Sequence, residues 1–219
     1  MTLEEVVFAW PGGGDPLLDG VSLTLNQGQR LAILGEEGSG KSTLMGVMAG
    51  LLAVESGQIL LMGEPLILVP QRERVRRLGL LFGDPTRQFL TPRVGEEVAL
   101  GPASLGLSGE NLHQRVADSL TLAGLGGGDI KRSLAGLSAA EGARVAWAAV
   151  MANHPRLLLL DEPGGWLSER GEGQMAARLG DYVAAKAGGL IAFTSRPQRA
   201  KLFAEEIYRL EGGRLSPFS

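Results

Sequence analysis

Leu31-Ala32-Ile33-Leu34-Gly35-Glu36-Glu37-Gly38-Ser39-Gly40-Lys41-Ser42-Thr43 is the stretch from which the rest of the chain is read. It opens with an apolar run short enough for a buried parallel strand, passes through Gly-x-x-x-x-Gly-Lys-Ser, and leads into Leu44 to Ala49, which is helix-compatible. That order describes a phosphate-binding loop. Gly35, Gly38 and Gly40 let the backbone take conformations that a Cβ resists, so that consecutive N–H groups and the helix N-terminus point at one anion. Lys41 is expected to reach the β- and γ-phosphates as a point charge, and the Ser42 hydroxyl to hold Mg²⁺. With 33 glycines in the chain a bare turn with a stray lysine is the competing reading; the strand before and the helix after argue against it.

At 219 residues the chain is long enough for a full core, as one domain or a domain with a subdomain. Hydrophobic content of 44% and charged content of 21% are those of a soluble globular protein. A net charge of −3 argues against nucleic-acid binding through a basic surface. The absence of cysteine removes disulfides, thiolate metal sites and cysteine nucleophiles. Met1-Thr2-Leu3-Glu4-Glu5 carries acids where a signal peptide carries bases, so export by that route is not expected. The longest near-apolar stretch, Leu44 to Val54, is shorter than the roughly 18 residues a membrane span needs. A membrane role must therefore come through a partner.

In chain order, Thr2 to Phe8 reads as a strand closed by the turn cluster from Pro11 to Pro16, and Val21 to Leu25 as another. Trp10, at the end of the first, has two readings: simple packing, or a ring stacked on a nucleotide base. Gly57 to Met62 and Leu78 to Phe82 are further strands, and the arginine-rich run Gln71 to Arg77 between them reads as a solvated face. Residues 86–153 are helix-like, with helices expected over Val94 to Leu100 and Glu110 to Ala123, and are read as a helical subdomain inserted between strands of one sheet. Ser138 and Glu141 have capping-box spacing for a helix to Met151. Arg156 to Leu160 is an apolar strand, followed by a helix from about Gly173 to Ala187 and by strands over Leu190 to Thr194 and Ile207 to Leu210. Strand, helix and strand in this rhythm predict an α/β fold, a mostly parallel sheet with helices on both faces.

The Arg156 to Leu160 strand ends in Asp161-Glu162. Parallel strands bind ligands at their carboxyl ends, so Asp161 is expected beside the phosphates as a Mg²⁺ ligand, with Glu162 orienting or deprotonating the attacking water. On its own a Leu-Asp-Glu-Pro corner is more often a capped turn; together with Lys41 the functional reading prevails.

Nearly the whole chain resembles the nucleotide-binding subunits of ABC transporters. The matching parts are an aromatic before the second strand, the phosphate loop, a Phe-x-Asp-Pro segment at Phe82, Leu137-Ser138 before a helix, Leu157 to Pro163, and Thr194 before Glu211-Gly212-Gly213-Arg214-Leu215. Leu80 to Phe89 and Val94 to Pro102 look like the energy-coupling-factor and cobalt-importer branch. The resemblance implies a RecA-like P-loop NTPase fold with antiparallel N-terminal strands. It also implies a dimer holding ATP between one subunit's phosphate loop and the other's Leu-Ser-Gly-Gly-Gln signature, a permease partner, and a location at the inner face of the cell membrane. Trp10 stands at the adenine-stacking position; Gly35 to Thr43, Ser39 included, at the nucleotide positions; Ser42 and Asp161 at the magnesium positions; Glu162 at that of the catalytic carboxylate.

The sequence departs from that pattern in four places. Gly83 replaces the glutamine that senses magnesium and the γ-phosphate, with Gln88 five residues later. The signature reads Leu137-Ser138-Ala139-Ala140-Glu141, with two Cβ atoms in place of glycines and an added negative charge. Ser168 stands for the aspartate that crosses the dimer, and Ser195 for the switch histidine. Neither His113, in the helical insert, nor His154, before the Asp161 strand, is placed to substitute. These losses predict slow turnover whether the dimer is with itself or with a relative. Three functions follow: a motor ATPase subunit of an importer, a nucleotide-binding partner with little or no hydrolysis, or an ABC protein with no permease. Guanine-specific switching is disfavoured by the lack of an Asn-Lys-x-Asp segment.

Overall fold

The structure is a computed structural model of the chain and describes residues 1–84 and 88–218. Pro85, Thr86 and Arg87, which belong to the stretch resembling the energy-coupling-factor branch, lie outside the described residues.

Among the described residues the strands form two sheets. The first runs in the order β2 (Leu18–Thr24), β1 (Thr2–Phe8), β4 (Ser56–Leu61) and β5 (Glu64–Pro65), with antiparallel pairs throughout. The second runs in the order β10 (Arg214–Pro217), β9 (Glu206–Glu211), β3 (Arg30–Leu34), β8 (Gly189–Thr194), β7 (Leu157–Asp161) and β6 (Leu78–Leu81). It is parallel except for the β9–β10 hairpin. Gly212 and Gly213, with φ of 55° and 78°, turn that hairpin, which adds a strand beyond the expected Ile207 to Leu210 ending.

The central strands are continuous apolar runs because both faces are covered, and their period of two divides the core. Leu157, Leu159, Ile191 and Phe193 join Leu31 and Ile33 in a cluster with the first sheet and with α1 (Lys41–Met48). Leu158, Leu160, Leu190 and Ala192 face the other way, onto Val98, Leu120, Trp147, Met151, Leu179 and Phe203. Those side chains come from α3 (Val94–Ser104), α4 (Gly109–Leu122), α5 (Ala139–Ala152), α6 (Glu169–Lys186) and α7 (Pro197–Phe203). Helices α3, α4 and α5 fall between β6 and β7 in the sequence and pack on one another. The remaining helix, α2 (Gln71–Arg77), buries none of its residues, in keeping with a solvated arginine face.

Two helices run past their expected ends. Helix α3 continues through Gly101-Pro102 to Ser104, because Pro102 is buried and packing outweighs its helix-breaking tendency. Helix α6 begins at Glu169 rather than near Gly173, because the Ser168 hydroxyl accepts the Gly171 N–H at 3.3 Å and so caps it.

Parallel register positions the site. Leu34 pairs with Thr194 and Asp161 with Phe193, so β3, β7 and β8 finish at one level. The segments that leave them, from Gly35, Glu162 and Ser195, therefore meet at one edge of the sheet.

Candidate nucleotide site

The Gly35–Gly40 segment is a tight loop closed by its own lysine. Lys41 is buried, and its Nζ donates to the carbonyl oxygens of Gly35 (2.8 Å) and Glu36 (2.7 Å). Gly40 holds φ at 97° as it hands the chain to α1, a left-handed conformation that leaves no room for a Cβ without strain. At Gly35 a Cβ would fall 2.5 Å from Ser39 Oγ and 2.9 Å from the Leu210 carbonyl. Ser39 Oγ itself is buried with no hydrogen-bond partner. A pocket of about 440 Å³ opens on this loop, walled by Gly35 to Ser39, by Ser195 and Pro197, and by Arg209 to Gly212.

Ser42 and Asp161, far apart in sequence, meet here: the serine hydroxyl donates to Asp161 Oδ2 at 3.0 Å. Burial raises the Asp161 carboxyl above its ordinary value; the Ser42 hydrogen bond opposes this, the Glu162 charge adds to it, and Lys41 opposes it again. Two adjacent oxygens are the donor set that a hard divalent cation takes. No cluster of three His, Cys, Asp or Glu side chains exists among the described residues, so a Mg²⁺ here would complete its shell with water and phosphate oxygens. On this geometry the residues fit the ion.

Glu162 turns out of β7 in a left-handed conformation, φ 45°. Its Oε2 accepts the Thr194 hydroxyl (2.8 Å) and one Nη of Arg199 (2.7 Å), and its Oε1 accepts the Ser195 backbone N–H (2.7 Å). Burial disfavours its charge, but the three donors, Thr194 first, outweigh burial and hold the carboxyl below its ordinary value. Trp10 stands edge-on to Phe8, with centroids 5.2 Å apart at 86°, and stays 51% exposed. The ring is therefore packed along one edge and open for the rest.

Comparison with known proteins decides the family. A family described as "ABC transporter" matches residues 18–165. The chain belongs to the ABC transporter family. Among curated ABC relatives, it is 32% identical to the energy-coupling factor transporter ATP-binding protein EcfA2 of Methanospirillum hungatei, over 97% of this chain and 53% of that protein. It is 36% identical to EcfA of Methanothermobacter thermautotrophicus, over 74% of this chain and 52% of that protein. The chain thus spans about half the length of each, and 28% of a Bifidobacterium longum relative. Among solved structures, cbiO1 of Clostridium perfringens, part of the ABC transporter complex cbiONQ, superimposes with a TM-score of 0.87 at 26% identity, over 98% of this chain and 86% of that one.

The four places read from the sequence as departures have defined surroundings. A Cβ on Gly83 would lie 3.5 Å from Asp161 Oδ2, so a side chain there would point at the carboxylate. Gln88 does fold back, but its Oε1 accepts the Phe82 N–H at 3.1 Å, and no hydrogen bond joins it to Asp161 among the described residues. The Gly83 carbonyl instead accepts the Trp166 indole N–H at 2.7 Å. Ser168 caps α6, and Ser195 offers Glu162 its main-chain N–H.

At the signature, Ser138 and Glu141 form the capping box, with the Ser138 N–H on Glu141 Oε2 at 2.9 Å and the Glu141 N–H on Ser138 Oγ at 3.3 Å. Ala139 and Ala140 open α5. The charge that Glu141 adds is paired: Arg132 Nη1 lies 2.7 Å from Glu141 and 2.8 Å from Asp129. Arg132 and the Ser138 N–H hold the Glu141 carboxyl down at about 2. No hydrogen bond joins this corner to the phosphate loop among the described residues.

Sequence reasoning missed Arg132, Trp166, Glu172 and Arg199. Arg199 lies five residues beyond Thr194, in no motif, and only folding brings it to Glu162. Trp166 and Gly83 are 83 residues apart, and no spacing in the sequence points from one to the other.

Proposed function

We propose that this chain is the ATP-binding subunit of an importer-type ABC transporter, binding Mg·ATP at Gly35 to Thr43 and hydrolysing it slowly through Glu162. The observation that carries this reading is the convergence of Lys41, Ser42, Asp161 and Glu162 at the carboxyl ends of β3 and β7, built from segments 119 residues apart. The loop amides and the start of α1 cradle the phosphates, Lys41 leaves its carbonyl partners for the β- and γ-oxygens, and Trp10 offers its open face to the base. Magnesium, held by Ser42 and Asp161, would neutralise charge on the β- and γ-phosphate oxygens. Glu162 accepts a proton from the water that attacks the γ-phosphorus, and ADP and phosphate are released.

In this reading a second ABC subunit closes the site, with the Ser138 to Glu141 corner facing the partner's nucleotide; the span 86–153, described from residue 88 onward, serves as the helical subdomain. No helix among the described residues is long and apolar enough to cross a membrane; in this reading a permease supplies the path and the chain attaches to it at the inner membrane face. The importer class draws support from the relatives named for energy-coupling factor and cbiONQ complexes.

Gly83, with no side chain to offer Asp161, and Ser195, with no imidazole, favour a second reading: a nucleotide-binding partner that closes the dimer and hydrolyses little. Both share one test. Titration with a fluorescent ATP analogue should show binding that tightens on adding Mg²⁺ in the wild type and not in Ser42→Ala. An absence of binding, or equal Mg²⁺ dependence in the two proteins, would overturn the site.

A further inference from the structure

Among the described residues, Arg199 is the one buried cation of the site cluster that lies outside the phosphate loop. It is 6% exposed, and its guanidinium spans two carboxylates: Nη1 donates to Glu162 Oε2 and Nη2 to Glu172 Oε1, both at 2.7 Å. Nε is buried without a partner, so the group is committed to this bridge. Glu172, on α6, lays its Cγ 2.8 Å from where a Cβ on Gly164 would stand, and Gly164 holds φ at 81°. Arg199 thus joins Glu162, just before segment 163–168, to Glu172, in the first turn of the helix that follows it.

The need for such a group follows from Glu162. Its left-handed backbone persists only where the surroundings fix it. The β8 end supplies two neutral donors, the Thr194 hydroxyl and the Ser195 N–H; the guanidinium is the one charged donor. Without it, Glu162 and Glu172 would be two half-buried like charges sharing one corner. A lysine would keep the charge but not the fork that reaches both acids.

We propose that Arg199 is a positioning residue for Glu162: braced by Glu172, its guanidinium fixes the orientation of the Glu162 carboxylate and couples it to segment 163–168. This rests on the reading of Glu162 as the base. The attacking water then meets one carboxylate orientation instead of several. A second subunit that pushes on segment 163–168 moves Glu162 through the Glu172–Arg199 bridge.

The test uses the whole chain and two readouts. The first is amide exchange at Ser195, whose N–H is held by Glu162, followed by NMR in the wild type, Arg199→Met, Arg199→Lys, Glu172→Gln and Glu162→Ala, with the Ala192 amide in β8 as control. Exchange at Ser195 should rise about tenfold in Glu162→Ala and Arg199→Met, as for the loss of one charge-assisted hydrogen bond. It should rise less in Glu172→Gln, and Arg199→Lys should restore part of the protection, with Ala192 unchanged throughout. The second readout is phosphate release, where Arg199→Met should lower kcat about tenfold with KM for ATP within about twofold. Unchanged Ser195 exchange in a folded Arg199→Met protein overturns the proposal. If that variant does not fold, unchanged exchange in Glu172→Gln does so. Equal turnover in Glu162→Gln and the wild type would sink the base assignment instead, and the exchange data alone would then decide whether Arg199 orders the carboxylate.

Discussion

The phosphate loop and the Glu162 cluster face each other across the same sheet edge, but they are assembled differently. The loop is local: Lys41 finds its carbonyl partners five and six residues away. Glu162 gathers its donors from 32 to 37 residues away, at Thr194, Ser195 and Arg199. A contiguous element keeps its geometry as long as its own residues are kept. A dispersed one can rest on main-chain groups, as at Ser195, whose backbone N–H reaches Glu162 whatever side chain the residue carries.

The comparison breaks most directly at Lys41. Lys41→Ala should weaken ATP binding about 100-fold, as for the loss of charge-assisted bonds worth about 3 kcal/mol, in a fluorescent-nucleotide titration; unchanged affinity would remove the phosphate-loop assignment. Restoring the dispersed half is the opposite move. Ser195→His combined with Gly83→Gln should raise phosphate release about tenfold, the upper range for one recovered hydrogen bond, and a fall would show that the present cluster is adapted to its own residues.

Asp161→Asn sharpens the link between the halves. The raised Asp161 carboxyl means that the folded state holds its proton more tightly than the unfolded chain does, so the ionised form costs stability as pH rises above 3.8. At pH 7 the asparagine variant should therefore melt higher than the wild type while losing Mg²⁺ dependence of ATP binding; a lower Tm would contradict the burial argument. Trp166→Phe, which leaves the Gly83 carbonyl without its indole donor, should cost about 1 kcal/mol, or about 2–4 °C in Tm.

The smallest effect belongs to the signature corner. Glu141 is depressed from 4.5 to about 2, chiefly by Arg132, so its contribution is complete above pH 4.5 and is lost as pH falls towards 2. Arg132→Met should lower the Tm slightly at pH 7, with the difference closing through that window; a pH-independent difference would assign the loss to packing.

Much of this was legible in the sequence, for physical reasons. Leu31 to Thr43 declares a strand, a loop and a helix because each has its own local signal, and Arg156 to Leu160 declares a buried strand because its leucine run is apolar on both faces. Ser138 and Glu141 fixed a helix start through their spacing alone. The sequence hid what depends on tertiary approach. Arg132 pairs with Glu141, Pro102 stays helical because it is buried, and Arg199 reaches Glu162 only once α7 has packed on β3 and β8. Helix α7 packs on β3, β8 and β9, and parallel pairing places strand ends predictably but not which side chain of that helix turns inward.

The measurement that bears most directly on the central claim is steady-state phosphate release with Mg·ATP by the purified chain and by its Glu162→Gln variant, with nucleotide binding confirmed in both. Slow release by the wild type and none by the variant is the predicted result. Equal release by the two would contradict Glu162 as the base, and release by neither despite bound ATP would contradict a working ATPase and leave the chain as a nucleotide-binding partner.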